Sequence, residues 1–191
     1  MKHIILVSSS PRRRELLKIL GLKFTAIAAD YEEKMNIKLP PLELAKFLSA
    51  GKAKSAIKKY PKHLIIAADT FVAYKNELLG KPCDKSEAFR MLKKISGKTL
   101  SVITGYTIID ATSGKRLSKA VESKITLKRL SDAEINNYIK TKEPLDKAGA
   151  FAVQGLGSIF IKKIEGDFLG VVGLPLFGLS QSLKKFGIKI L

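Results

Sequence analysis

Ser8-Ser9-Ser10-Pro11-Arg12-Arg13-Arg14 is the stretch from which the fold can be read. The apolar run before it, Ile4–Val7, predicts a buried strand. The run after it, residues 15–20, predicts a helix that ends at Gly21. Ser10 is a good N-cap residue and Pro11 suits the first helical position. The stretch therefore predicts a strand, a hydroxyl-rich turn and a helix.

The start of this helix is a candidate anion site. Backbone N–H groups without helical partners and the positive end of the helix dipole meet at the turn. Arginines in the first turn oppose that dipole, so Arg12 and Arg13 need a negative partner, and phosphate binds guanidinium groups in bidentate fashion. A solvated basic helix start accounts for the same residues, and the stretch alone leaves both interpretations open.

Length and composition limit the class of protein. The chain has 191 residues, of which 46% are hydrophobic, so it can build one substantial core or two lobes but not several domains. Cys83 is the only cysteine, which excludes an internal disulfide and fits a reducing compartment. No stretch has the pattern of a signal peptide or the length of a membrane span. We therefore expect a cytoplasmic protein with no membrane partner.

The net charge of +18 raises the question of nucleic-acid binding. The lysines, however, are scattered along the whole chain, there is no Trp, and the aromatic residues are not interleaved with basic ones as stacking platforms. We therefore expect no stable nucleic-acid partner.

The rest of the chain alternates strand and helix patterns, which predicts the α/β class. Predicted strands cover residues 23–28, 63–68, 71–74, 77–79, 100–110, 116–128 and 158–164. Predicted helices cover residues 41–59 and 84–96, and two more begin at residues 131 and 175. In the helix of residues 41–59, Leu42, Ala45 and Leu48 are expected on the buried side.

Two polar residues stand out against this pattern. Lys52 lies one turn from Leu48 and so on the inward face, where a lysine either extends to the edge of the core or points into a cleft. Asp69 follows the apolar strand of residues 63–68, a position that often belongs to a site in α/β proteins and equally suits a turn-capping aspartate. Position alone leaves both residues open.

Together the polar candidates suit phosphate-anhydride chemistry. Cations neutralise a phosphate chain, carboxylates hold a divalent ion, and one carboxylate positions or deprotonates water. The basic candidates are Arg12, Arg13, Lys52 and Lys81; the acidic ones are Glu33 and Asp69; Lys147 and Gln154 lie in a later glycine-rich region.

Several segments, in order along almost the whole chain, resemble the Maf family of nucleoside triphosphate pyrophosphatases. They are Ser8-Ser9-Ser10-Pro11-Arg12-Arg13-Arg14-Glu15-Leu16-Leu17, Ala68-Asp69-Thr70, Leu79-Gly80-Lys81-Pro82, residues 92–97, Val102-Ile103-Thr104-Gly105, Glu143-Pro144-Leu145-Asp146-Lys147-Ala148-Gly149, Val153-Gln154-Gly155 and Val172-Gly173-Leu174-Pro175. The departures are Leu169-Gly170, where the family usually carries small polar residues, and Ala152-Val153 before Gln154.

The resemblance implies a fold and a reaction. The fold is one α/β domain over residues 1–191, with a long twisted mixed sheet and two lobes around a cleft, similar to inosine triphosphate pyrophosphatase. The reaction is hydrolysis of a nucleoside triphosphate to a monophosphate and pyrophosphate with Mg²⁺ or Mn²⁺, and the resemblance allows a homodimer. Asp-Lys-Ala-Gly followed by Gln-Gly resembles the branch that acts on dTTP and UTP, in nucleotide pool cleaning.

The resemblance also implies roles for individual residues. Asp69 would be the proton acceptor, with Glu33 as a second carboxylate on the metal side, although Glu32 stands beside it. The phosphate-binding residues would be Ser8, Ser10, Arg13, Lys52, Lys81 and Lys147. Substrate specificity would depend on Arg12, Thr70 and Gln154. The alternatives are the 7-methyl-GTP branch and a binding protein that regulates septum formation and cell division with little catalysis.

Overall fold

The computed structural model describes residues 2–32, 37–75 and 77–191. The strands are β1 (Ile4–Val7), β2 (Phe24–Ile27), β3 (Leu64–Tyr74), β4 (Glu77–Leu79), β5 (Thr99–Asp110), β6 (Arg116–Leu127) and β7 (Ile161–Glu165). The α-helices are α1 (Pro11–Ile19), α2 (Pro41–Ser55), α3 (Lys85–Ile95), α4 (Asp132–Lys140), α5 (Phe168–Val172) and α6 (Leu176–Lys184). Short 3-10 helices cover Glu143–Asp146, Ala148–Ala150 and Leu156–Phe160.

The strands form a mixed sheet in the order β2-β1-β3-β5-β6-β7, with β4 paired to β3. β1 is parallel to both β2 and β3, whereas the β3–β4 and β6–β7 pairs are antiparallel. The predicted α/β class with a mixed sheet flanked by helices is confirmed. None of the helices in the described part of the chain is long and apolar enough to cross a membrane.

The chain divides into two compact units. Unit 1 comprises the residues up to Thr70 together with Thr104–Val121 and Leu169–Leu191, and unit 2 comprises Phe71–Ile103 and Glu122–Phe168. The expectation of one domain over residues 1–191 stays a prediction.

Unit 1 is built on the two faces of its parallel strands. Successive strand residues point to opposite faces. On one face Leu16 and Leu17 of α1 pack with Leu6 and Ile66, in a cluster that also includes α6. On the other face Ala53 of α2 packs with the alternate residues of β1 and β3, which include Ile5 and Ile65. The sheet of unit 1 is therefore covered on both sides, as the apolar runs of its strands predict.

Unit 2 has its own helical packing. The buried residues of α3 are Ala88, Leu92 and Ile95, and those of α4 are Ile135, Tyr138 and Ile139. The predicted capping box of α4 is present, since Ser131 and Glu134 each accept a hydrogen bond from the other's backbone N–H. Tyr138 also packs edge-on against Phe160, with ring centroids 5.0 Å apart.

Three predicted boundaries are wrong. The strand expected to end before Asp69 continues to Tyr74, so Asp69 and Thr70 lie inside β3. The strand predicted over residues 158–164 begins with a 3-10 helix and becomes β7 only at Ile161. α2 ends at Ser55, short of residue 59. The buried position predicted for Leu42 is also wrong, since Leu42 is 38% exposed.

Candidate active site

The carboxyl end of β1, where β3 continues beyond it, is the expected place for a site in unit 1. The chain leaves β1 through α1 to reach β2 on one side, and returns through α2 to β3 on the other side. α1 and α2 pack on opposite faces of these strands. The strand order therefore reverses beside β1, and ligands of open α/β sheets bind at the carboxyl end of such a reversal.

The turn after β1 is organised by serine hydroxyls. Ser8 is 5% exposed, and its hydroxyl oxygen accepts a hydrogen bond from the Ser10 N–H at 3.2 Å. Ser10 caps α1, because its side chain accepts from the N–H of Arg13 at 3.4 Å. The predicted cap and the Pro11 start of the helix are confirmed. Arg12 is exposed and Arg13 is half-buried, so the two arginines have different surroundings.

Arg13 lies in a fixed network of unit 1. Its Nε donates to the carbonyl oxygen of Gly173 at 2.9 Å, and its Nη2 donates to the Thr70 hydroxyl at 2.9 Å. The Thr70 and Thr104 hydroxyls are 2.8 Å apart, and Thr104 donates to the carbonyl oxygen of Gly170 at 2.8 Å. The acceptor at Gly170 is a backbone carbonyl, so this bond does not depend on the side chain at that position.

Lys52 and Asp69 form a buried ion pair. The Lys52 ammonium donates to the Asp69 carboxylate, and the two residues are 8% and 4% exposed. The inward orientation of Lys52 is thereby confirmed. A carboxylate can accept a proton from water, and an ammonium group can stabilise a phosphate oxygen.

Asp69 and Thr70 lie on opposite faces of β3. Asp69 follows Ile65 and Ala67 in the strand's alternation, on the face of α2, whereas Thr70 follows Ile66 and Ala68, on the face of α1. The β1–β3 register pairs Val7 with Ala67, so both polar residues extend beyond the end of β1. A ligand at this edge can therefore meet Asp69 from one face and Thr70 from the other.

In unit 2, Lys81 and Lys147 meet at one carboxylate. Asp146 accepts from the Lys81 ammonium at 2.7 Å and from the Lys147 ammonium at 3.2 Å. The hydrogen bond from Lys81, and then the one from Lys147, hold the pKa of Asp146 below its ordinary value against a partial loss of solvation. Lys81 is well exposed, whereas the Lys147 side chain is only 18% exposed.

Glu143 organises the glycine-rich loop that contains Gln154. Its carboxylate accepts from the Tyr138 hydroxyl at 2.8 Å, the Leu156 N–H at 3.1 Å and the Gly157 N–H at 3.0 Å. Partial burial raises the pKa of Glu143, but these bonds, with the Gly157 N–H first, outweigh it and hold the pKa below its ordinary value. Burial and the bond to Glu143 raise the pKa of Tyr138. Gln154 itself is exposed.

Three residues that bind predicted site residues or the loop of Gln154 were not singled out from the sequence. They are Thr104, Glu143 and Asp146, which bind Thr70, the glycine-rich loop and the two lysines respectively. Each falls inside a segment that carries the family resemblance, so the segments held the signal although the single residues did not.

The described residues alone do not supply a cluster of metal ligands. Within residues 2–32, 37–75 and 77–191, no group of three or more His, Cys, Asp or Glu side chains could hold a metal ion. Of the two carboxylates predicted to hold the metal, Asp69 is described, and it accepts a hydrogen bond from Lys52. Glu33, the second predicted carboxylate, lies outside the described residues. The predicted metal role of Glu33 and Asp69 stays a prediction.

Comparison with known proteins gives concordant matches. The family model described as Maf-like protein matches residues 3–186. A dTTP/UTP pyrophosphatase of Methanosarcina barkeri is 49% identical over 191 residues, which are 100% of this chain and 97% of that protein. A dTTP/UTP pyrophosphatase of Alkaliphilus oremlandii is 49% identical over 193 residues and 100% of both chains.

A solved structure of a HAM1 protein from Coxiella burnetii is similar at 16% identity and a TM-score of 0.49, covering 97% of this chain and 100% of that one. The family assignment rests on the sequence matches, which span the chain from its first strand to its last helix and include every described residue of the candidate site. The resemblance inferred from the motifs is confirmed: the chain belongs to the family of Maf-like proteins.

Proposed function

We propose that this protein is a nucleoside triphosphate pyrophosphatase that hydrolyses dTTP and UTP to the nucleoside monophosphate and pyrophosphate. The observation that carries the proposal is the 49% identity, over the whole chain, to relatives named dTTP/UTP pyrophosphatase. Its role would be nucleotide pool cleaning in the cytoplasm, by one catalytic domain that extends over residues 1–191. The single cysteine fits that compartment.

In the proposed reaction, one water molecule adds across the α–β anhydride. Asp69 accepts the proton that the water loses, and the P–O bond to the departing pyrophosphate breaks. The buried Lys52–Asp69 pair supports this role, because the bond from the Lys52 ammonium holds in place the carboxylate that would accept the proton. Ser8, Ser10, Arg13, Lys52, Lys81 and Lys147 would bind the phosphates.

A divalent ion, Mg²⁺ or Mn²⁺, belongs to the proposal, with Asp69 and Glu33 as oxygen ligands. Such an ion would neutralise charge on the phosphate chain. Arg12, Thr70 and Gln154 would set base preference. The exposed amide of Gln154 supports this assignment, since it offers both a donor and an acceptor to a pyrimidine edge.

The deciding experiment is a pyrophosphate-release screen of the purified protein against the common and modified nucleoside triphosphates, with and without Mg²⁺. We expect metal-dependent release led by dTTP and UTP. Release led by 7-methyl-GTP would keep the reaction and refute the substrate branch. No release from any nucleotide, with nanomolar binding to DNA that falls steeply with salt, would support the regulator instead.

Asp69→Asn tests the proposed proton acceptor. The amide oxygen still accepts a hydrogen bond from Lys52 but cannot take a proton, so we expect a folded protein that has lost about 100-fold or more in kcat. The measurement is kcat for UTP beside a circular-dichroism melt. A variant with the wild-type kcat would remove Asp69 from this role.

A further inference from the structure

Only one assignment of donors and acceptors is consistent with the hydrogen bonds at Arg13. A carbonyl oxygen can only accept, so the Thr104 hydroxyl donates its proton to Gly170. A hydroxyl has one proton, so Thr104 can only accept from Thr70. The Thr70 oxygen in turn accepts from Nη2 of Arg13. The order is therefore Arg13 to Thr70 to Thr104 to Gly170.

This order determines what Thr70 can do. The Thr70 hydroxyl donates its proton to Thr104. Thr104 is 1% exposed and donates its own proton to the Gly170 carbonyl. Toward any further group, Thr70 therefore offers a lone pair and no donor. Phosphate oxygens of a triphosphate at neutral pH are acceptors, so they bind the guanidinium donors and not Thr70.

The same order also holds the guanidinium plane of Arg13. Nε and Nη2 lie on one edge of the planar group, and they are bonded to Gly173 and Thr70 at 2.9 Å each. Two bonds on one edge fix both the position and the tilt of the plane. The Thr70 end of this clamp stays in place only while Thr104 holds the Thr70 hydroxyl.

We propose that Thr104 is a positioning residue for triphosphate binding, which acts through Thr70 on the Arg13 guanidinium. The proposal rests on the proposed function, because the phosphate chain is the ligand that Arg13 would meet. Thr104 would touch no substrate atom. Its contribution is to keep the Thr70 hydroxyl an acceptor for Arg13, which keeps the guanidinium plane in the orientation that binds the triphosphate.

The test compares three single variants. Thr104→Val removes the hydroxyl at nearly constant volume, and Thr104→Ser keeps it. Thr107→Val is the matched control, because Thr107 is also fully buried in β5 and bonds to the hydroxyls of Ser49 and Ser118, away from Arg13. For Thr104→Val we expect the KM for UTP to rise about fivefold, the loss of roughly one net hydrogen bond, with kcat within about twofold. Thr104→Ser should recover most of the wild-type KM.

A double-mutant cycle separates positioning from simple loss of stability. Arg13→Lys keeps the charge but loses the planar fork that Thr70 holds. We expect Thr104→Val to change KM by less than about 1.5-fold when it is added to Arg13→Lys. A full fivefold effect in both backgrounds, or an equal effect of Thr107→Val, would overturn the proposal. If Thr104→Val does not fold, Thr70→Val breaks the same chain at its middle hydroxyl and takes its place in the cycle.

Binding of inorganic tripolyphosphate, measured by calorimetry, distinguishes failure of this proposal from failure of the proposed function. Wild-type protein that binds tripolyphosphate without turning over any nucleotide would refute the pyrophosphatase but leave Thr104 testable by affinity alone. Thr104→Val with wild-type affinity would refute the positioning role even if UTP turnover is normal. Wild-type protein that neither binds tripolyphosphate nor releases pyrophosphate would overturn both.

Discussion

At the scale of single residues, Lys52 and Asp69 are the decisive pair, because both are buried and each neutralises the other. Breaking a buried ion pair from one side leaves a charge in a poorly solvated place. We therefore expect Lys52→Ala to lower the free energy of unfolding by about 3–5 kcal/mol as well as to weaken triphosphate binding. Urea denaturation, with the KM for UTP measured beside it, checks both effects.

Two further variants show whether the effect of Lys52→Ala comes from the loss of the ion pair. Lys54→Ala changes an exposed lysine of the same helix and should leave the free energy of unfolding within about 0.5 kcal/mol of wild type. Lys52→Ala combined with Asp69→Asn removes both charges and should be more stable than Lys52→Ala alone. Equal urea midpoints for Lys52→Ala and wild type would mean that the pair contributes nothing to the fold.

At the scale of elements, β5 and α2 approach so closely at Gly105 that no side chain fits. A Cβ built on Gly105 would lie 2.2 Å from the carbonyl oxygen of Ala45, a backbone atom that cannot move alone. We expect Gly105→Ala to destabilise unit 1 by about 3 kcal/mol, at the upper end of what overpacking usually costs. The measurement is the urea midpoint at an unchanged slope.

The control for this change is Gly80→Ala, since a Cβ on Gly80 would meet nothing within 4 Å. That variant should be neutral or slightly stabilising, because alanine restricts the unfolded chain. If Gly105→Ala unfolds at the wild-type midpoint, the close contact between β5 and α2 is not needed for the fold.

The loop after α4 depends on the charge of Glu143. In Glu143→Gln the amide has one acceptor oxygen, so a backbone N–H of Leu156 or Gly157 would face an NH₂ group. We expect a loss of about 1–3 kcal/mol in the free energy of unfolding at neutral pH. Glu165→Gln, in an exposed pair with Lys163, is the control and should change little.

The pH dependence of this effect has a definite sign. Because the folded pKa of Glu143 is lowered, its carboxylate stabilises the fold at any pH above its unfolded pKa, near the ordinary value of 4.5. That stability is lost as the pH falls through the folded pKa. The difference in the free energy of unfolding between wild type and Glu143→Gln should therefore be largest at neutral pH and shrink below about pH 4.5. A difference that stays constant down to pH 3 would contradict a role for the charge.

The sequence predicts most elements of the fold because their patterns are local. The apolar period of α2 predicts that Lys52 points inward. The residues at the start of α1 and α4 predict the N-caps of these helices. The partner of Lys52 is not local: Asp69 is 17 residues away, and the pair forms only because β3 runs on past β1. Asp and Thr favour a turn, but β3 continues through them, since Phe71 and Val72 are buried and the strand pairs with β4.

α5 was missed for a related reason. It has five residues, with Gly170 in the middle, and such a segment has too little helix propensity to be recognised alone. The Gly170 carbonyl accepts from Thr104 of β5, which ties the segment to the surrounding fold. At its end, the N–H groups of Gly173 and Leu174 donate to the Leu169 carbonyl. The bond from Thr104, like the bonds of the Arg13 network, joins residues that are far apart in the chain, so it has no local sequence signal.

At the scale of the whole molecule, the dominant electrostatic term is the excess of cations, 35 Lys and Arg against 17 Asp and Glu, or +18. Exposed pairs such as Lys93–Asp132 and Lys163–Glu165 contribute little each, because water screens them. The self-repulsion of the remaining positive charges acts over the whole surface and is weakened by salt, since the Debye length falls from about 14 Å at 50 mM to about 4 Å at 500 mM.

We therefore expect the melting temperature to rise by a few degrees when NaCl is increased from about 50 to about 500 mM, because screening removes more repulsion than attraction. Differential scanning calorimetry measures the shift. Replacing the exposed lysines Lys58 and Lys62 with Gln lowers the net charge from +18 to +16 and should reduce the salt response in proportion. A melting temperature that falls with NaCl would mean that the ion pairs stabilise this protein more than its net charge opposes folding.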